Sequence, residues 1–163
     1  ELLKVQKGLV AEYWGDITKQ GTALASGAVL ESQGWQVTAN LANANGEKVG
    51  TVKPKEGTTG WSDTWMIKKD TKNINCAYKW LDHIASAPVN AQIAEYFGEA
   101  PANAKSCDLT ISKTHCADFH ATETDYWKDV WYWTTPTEQC LDGRTEKCVG
   151  YDEWVKAWSA LRA

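Results

Sequence analysis

Leu2, Leu3, Val5, Leu9, Val10 and Tyr13 recur near helical spacing, and the step Trp14-Gly15-Asp16 ends the run, so the pattern predicts a first helix. After a polar linker, small residues from Ala23 to Gly27 lead into 28–35, a short strand signal that ends on Trp35. Residues 40–46 read as a small helix closing on Gly46, and 49–54 as a strand stopped by Pro54. Over 73–87 the pattern is amphipathic, with Ala77, Trp80, Leu81 and Ile84 in one stripe. Pro88 opens a second helix at its first turn, Val89, Ile93, Ala94 and Phe97 form its buried face, and Gly98 follows its end. Glu99 to Asn103 is then a loop at a helix C-terminus. The chain over 104–122 is polar, Cys-bearing and irregular. Helices are expected again over 124–133, capped by Thr124, and over 151–161, with Trp154, Val155, Trp158 and Leu161 on one side.

The chain is organised around residues 57–67. A glycine-rich approach, Gly57-Thr58-Thr59-Gly60, delivers Trp61 and Asp63 into an apolar, strand-like run ending at Ile67. In an extended segment residues two apart share a face, so Trp61 and Asp63 point the same way. An aromatic face beside a carboxylate suits a cationic amine, because the ring attracts the ammonium while the carboxylate accepts a charge-assisted hydrogen bond. Read alone, the stretch is first a half-buried edge strand with an exposed Asp, and the neighbouring stretches shift the balance.

At 163 residues there is enough chain for one domain with a core. A net charge of -4 argues against nucleic acid or an anionic membrane surface as partner. Ten Trp and six Tyr against two Phe favour rings with a polar edge, which suit a binding cleft or a wet interface. No GxSxG, Walker loop, HExxH or GxGxxG occurs, and His83, His115 and His120 have no nucleophile placed beside them in sequence, so the chain reads as a binding protein rather than an enzyme, without cofactor or metal. Neither an initiator Met nor a signal peptide is present, and Glu1 to Val5 reads as helix interior, so the chain is expected to begin mid-protein.

Five Cys, four of them between Cys107 and Cys148, fit an exported protein. Cys140 and Cys148 flank a polar, turn-rich loop that a disulfide would clamp. Cys107 with Cys116 is the second expected pair, leaving Cys76 alone; Cys76 with Cys107 or Cys116 is the alternative. Cys107, His115, Cys116 and His120 could also offer zinc ligands, but their spacing lacks a Cys-x-x-Cys knuckle, and no metal is assigned.

The order of several motifs resembles the C-terminal half of bacterial spermidine/putrescine-binding proteins, the extracytoplasmic solute receptors of ABC importers. They are the strand ending at Trp35, Lys53-Pro54-Lys55-Glu56-Gly57, Trp61-Ser62-Asp63, Asn75-Cys76-Ala77-Tyr78-Lys79-Trp80-Leu81, Ile93-Ala94-Glu95-Tyr96-Phe97-Gly98 and Pro101-Ala102-Asn103. The resemblance implies an α/β, two-lobed type II periplasmic-binding-protein fold, with residues 1–56 as the later part of the second lobe. Residues 57–163 would return to the first lobe with its C-terminal helices and a Cys-rich insert. It implies that Trp35 and Trp61 sandwich the methylenes of a polyamine-like solute and that Asp63 meets an amino group. Where the family carries a Tyr contact this sequence has Glu99, an extra acid that could suit another amine. The implied setting is periplasmic or otherwise extracytoplasmic, secreted or lipid-anchored, with hinge closure presenting the bound form to a membrane permease. The implied first lobe and the opening of the second would be supplied by another chain, or the exposed faces covered by self-association. The rival reading is a stand-alone, disulfide-stapled carbohydrate or surface-binding module using Trp and Tyr platforms.

Overall fold

The computed structural model describes residues 1–162. The chain divides into two compact units, one made of Glu1–Gly15 with the chain from Tyr132 on, the other of Asp16–Trp131.

In the first unit, helix α1 (Leu2–Lys7) packs with the last helix, α7 (Tyr151–Arg162). The first helix is shorter than the apolar spacing suggests, because Gly8 ends it and Leu9 to Tyr13 continue without regular structure. Tyr13 meets Trp158 edge-on at 5.1 Å, and Leu161 is buried, while Trp154 and Val155 stay exposed. A disulfide between Cys140 and Cys148 closes the polar loop, at whose base Gln139 and Lys147 form an antiparallel bridge.

The second unit begins with α2 (Ile17–Ala25), whose N-terminus is capped by Asp16, the carboxylate accepting from Lys19 N–H at 3.0 Å. This helix occupies part of the stretch expected to be linker. The strand expected over 28–35 does not form. Instead α2 packs against α3 (Gln36–Ala44), and Gln20, 2% exposed, ties the intervening chain. Its Nε2 donates to Ser32 Oγ at 3.0 Å and to the Gln33 carbonyl at 2.8 Å, and its Oε1 accepts from Thr38 Oγ1 at 3.1 Å. Side-chain amide bonds thus replace the ladder that a strand would have needed. Trp35 is the N-cap residue of α3, with extended backbone, rather than the end of a strand. The strand expected over 49–54 is also absent.

The only sheet among the described residues has two strands, β1 (Thr58–Gly60) and β2 (Val130–Tyr132). The strand-like run after Gly60 carries no ladder, and Trp61, Trp65 and Met66 are exposed. The two amphipathic patterns form as read: α4 (Ile74–Ala85) and α5 (Ala87–Phe97), with proline in the first turn of α5 and Gly98 as its left-handed C-cap, φ 74°. Ile84, Ala91 and Ala94 are buried between them, whereas Trp80 and Phe97 of the expected faces are exposed. The helices turn at Ser86, and Pro101-Ala102-Asn103 is fastened to that corner. Asn103 Nδ2 donates to the Ala85 carbonyl and its N–H to Asn90 Oδ1, both at 2.9 Å. The Cys-rich segment follows as a 3₁₀ turn at Ala104–Asp108 and a short helix α6 (His115–Asp118), joined by the Cys107–Cys116 disulfide.

The helix expected over 124–133 is replaced by a 3₁₀ turn at Tyr126–Asp129 running into β2. Long-range partners decide this. Lys53 Nζ donates to the Tyr126 carbonyl at 2.6 Å and lies 4.8 Å from the Tyr126 ring centre, and Trp131 Nε1 donates to the Glu56 carbonyl at 3.1 Å. Gly57, at φ 88°, lies so close to the Asp129 carbonyl that a side chain there would collide with it.

Candidate functional site

The candidate site is assembled by the end of α5. Because Gly98 has no side chain, Val37 of α3 settles directly on it. Trp35 stands two residues before Val37, and Glu99 one residue after Gly98, so this contact brings an aromatic ring and a carboxyl into one neighbourhood. Glu99 is held there by its backbone: its N–H donates to the Ala94 carbonyl at 3.0 Å, and its carbonyl accepts from His115 Nε2 at 2.9 Å.

The chain leaving β1 supplies the other half. The Trp61 ring lies 5.7 Å from that of Trp35, centre to centre, at a tilt of 59°. Two residues on, the Asp63 carboxylate stands close enough to the Glu99 carboxyl to act on its ionisation. Trp61 and Asp63 both meet the surface made by α3 and the end of α5, as residues two apart in extended chain can. The four side chains singled out by sequence, Trp35, Trp61, Asp63 and Glu99, therefore fall together in the Asp16–Trp131 unit.

The cluster is a face rather than a chamber. Trp35 is 45% and Trp61 50% exposed, Asp63 is exposed and Glu99 half-buried. Burial first, and then the Asp63 carboxylate beside it, push the Glu99 carboxyl above its ordinary range. Two tilted rings next to two acids offer a π surface and up to four acceptor oxygens, a surface matched to an organic cation. A separate hollow of about 350 Å³ beside Ala85, Asn90 and Ala102 to Ala104 shares no residue with the cluster and has no charged wall.

The four side chains weighed as zinc ligands have other partners among the described residues. Cys107 and Cys116 are consumed in a disulfide, His115 is bound to Glu99, and His120 stacks on Tyr126 at 3.8 Å with Nδ1 on Glu123 at 3.0 Å. Among the described residues no group of three or more His, Cys, Asp or Glu side chains is arranged to hold a metal ion. Cys76 is a free, exposed thiol. No described helix is long and apolar enough to cross a membrane.

Sequence reading passed over two positioning residues. Gln20 fixes the approach to Trp35, and its signal, a lone Gln within a small-residue helix, is too weak to select it. Glu95 accepts from the N–H groups of Ile111 at 2.9 Å and Ser112 at 2.8 Å, docking the Cys-rich segment onto α5 near His115. That pairing joins segments whose contact no local pattern encodes.

A Pseudomonas aeruginosa putrescine/agmatine-binding protein is 28% identical over 104 residues, which cover 60% of this chain and 28% of that protein. The chain thus spans well under half the length of this relative. A broader match runs over residues 5–130, which contain every residue of the cluster, and is to the bacterial extracellular solute-binding proteins, a match that leaves the stand-alone carbohydrate module without support. On that match the chain belongs to the bacterial extracellular solute-binding protein family.

Proposed function

We propose that this chain carries part of the ligand-binding wall of an extracytoplasmic receptor that captures a polyamine-like cation and delivers it to the membrane permease of an ABC importer. The observation that carries the reading is the acid pair Asp63 and Glu99 standing beside the paired rings of Trp35 and Trp61. Methylenes pack on indole faces, and an ammonium end finds carboxylate acceptors within reach of the same ligand. The putrescine/agmatine-binding relative supports the choice of an amine over other solutes.

The cluster is open on one side, and a second lobe closing over it would desolvate the cation and strengthen each of these contacts. The division into the later part of the second lobe over 1–56 and a return to the first over 57–163 belongs to the same proposal. The proposed role is capture without chemistry, which the match to solute-binding proteins supports.

Calorimetric titration of the full-length protein with putrescine, at low and at raised ionic strength, tests the reading. The expected result is binding that weakens with salt, because charge pairs at a partly exposed site are screened. Absence of amine binding, or a salt-insensitive preference for a neutral sugar, would contradict it.

A further inference from the structure

Residues 103–116 lie along α5 as a strap that is pinned to it at three levels. At the first residue of the helix, the buried Ser106 donates its hydroxyl to the Ala87 carbonyl at 3.0 Å. About two turns on, the Glu95 carboxylate accepts from the N–H groups of Ile111 and Ser112. Just past the helix end, His115 Nε2 donates to the Glu99 carbonyl at 2.9 Å. Cys107, which follows Ser106, is bonded to Cys116, which follows His115, so the disulfide ties the first pin to the last. We propose that His115 is a positioning residue for the amine site: through the backbone it aims the Glu99 carboxyl at the ligand, and the Cys107–Cys116 disulfide keeps His115 in place to do so. This step rests on the receptor reading above and names the residues that set its geometry.

The argument is one of backbone freedom. A residue has two soft backbone dihedrals. The Glu99 N–H is taken by the Ala94 carbonyl at 3.0 Å. Held there alone, the residue would still turn about φ and swing its Cβ, and the carboxyl with it. Held at the carbonyl as well, it has a fixed Cα–Cβ direction, and only side-chain rotamers are left to the carboxyl. The carbonyl also lies just past a helix end, where backbone acceptors lack partners within the helix, so His115 answers a need that the fold creates there.

His115 is itself held firmly. It is 6% exposed, and its ring packs on Phe119 at 4.6 Å between centres. The helix that carries it, α6, has four residues, too few to persist by its own hydrogen bonds, so its place depends on the bond at Cys116 and on the pins at Glu95.

Putrescine is the probe, titrated calorimetrically into the full-length protein, with melting temperatures taken on every variant. His115→Phe keeps a ring against Phe119 and removes the donor, and it is expected to weaken binding about threefold to tenfold, the worth of one hydrogen bond. His115→Gln, which returns an N–H donor, is expected to recover most of that loss. In a Glu99→Ala background, where no carboxyl remains to be aimed, His115→Phe is expected to cost nothing further. Cys107→Ser/Cys116→Ser leaves the imidazole intact and is expected to weaken binding in the same Glu99-dependent way, which keeps the test open if His115→Phe does not fold. Unaltered affinity in either folded variant, or the same fold-loss with and without the Glu99 side chain, would overturn the positioning role while leaving the receptor reading intact. No putrescine binding by the unsubstituted protein would overturn the receptor reading, and this inference with it.

Discussion

Val37 lies against the bare Cα of Gly98, where a Cβ would collide with it, and the backbone at that glycine is left-handed, φ 74°. This contact ties the helix that Trp35 begins to the turn that presents Glu99. A Cβ at residue 98 would meet both a conformational penalty of roughly 1–2 kcal/mol and overpacking of about 1–3 kcal/mol against Val37. Gly98→Ala should therefore lower stability by roughly 2–5 kcal/mol in denaturant unfolding. Adding Val37→Ala should recover the steric share but not the backbone share, so the double variant is expected to be less destabilised than the sum of the singles.

Gln20 takes the place of a strand ladder beneath Trp35. Replacing it by Leu keeps volume and strands the Gln33 carbonyl and Thr38 hydroxyl, an expected loss of about 1–3 kcal/mol. Gly34→Ala should destabilise too, because its Cβ would collide with the Gln20 amide. Thermal unfolding of both variants, alone and combined, checks whether the losses couple as one contact predicts.

The helices were legible where a local signal governs them. The α4 stripe has a 3.6 period, and Pro88 and Gly98 punctuate α5 with residues that backbone geometry demands there. Two of the failures share one cause. Residues 28–35 and 124–133 carry local preferences that distant partners override: Gln20 for the first, Lys53 and Glu56 for the second. The site residues were selected one by one on chemistry and on resemblance. That Asp63 would come near enough to act on Glu99 is a long-range fact, and it was not legible.

Acid should act on Glu95 before the helices. The N–H groups of Ile111 and, secondarily, Ser112 hold its carboxyl below the ordinary value of 4.5. A depressed folded value means stability that is present above the unfolded value and lost as pH falls through the folded one. Glu95→Gln should thus flatten the acid limb of the stability profile below about pH 4.5, and hydrogen exchange at Ile111 and Ser112 should quicken there in the wild type alone.

Labelling of denatured, unreduced protein should modify Cys76 and no other cysteine, since the remaining four are paired. Each disulfide closes a short loop, worth roughly 2–3 kcal/mol on the chain-entropy account. Cys140→Ser/Cys148→Ser should cost about that much and leave amine affinity unchanged, because neither residue belongs to the cluster. Labelled thiols at both Cys140 and Cys148 in the unreduced protein would contradict the pairing.

The central claim is tested most directly by the affinity of the full-length Asp63→Asn variant for putrescine, measured by calorimetry beside Trp61→Phe and with melting temperatures for both. A charged hydrogen bond is worth about 1.5–3 kcal/mol, whereas Phe retains a ring and most of an interaction worth roughly 0.5–2 kcal/mol. The expected result is a tenfold or greater weakening, roughly the lower end of that range, in Asp63→Asn, larger than in Trp61→Phe and with little change in melting temperature. An unaltered affinity for Asp63→Asn would contradict the account.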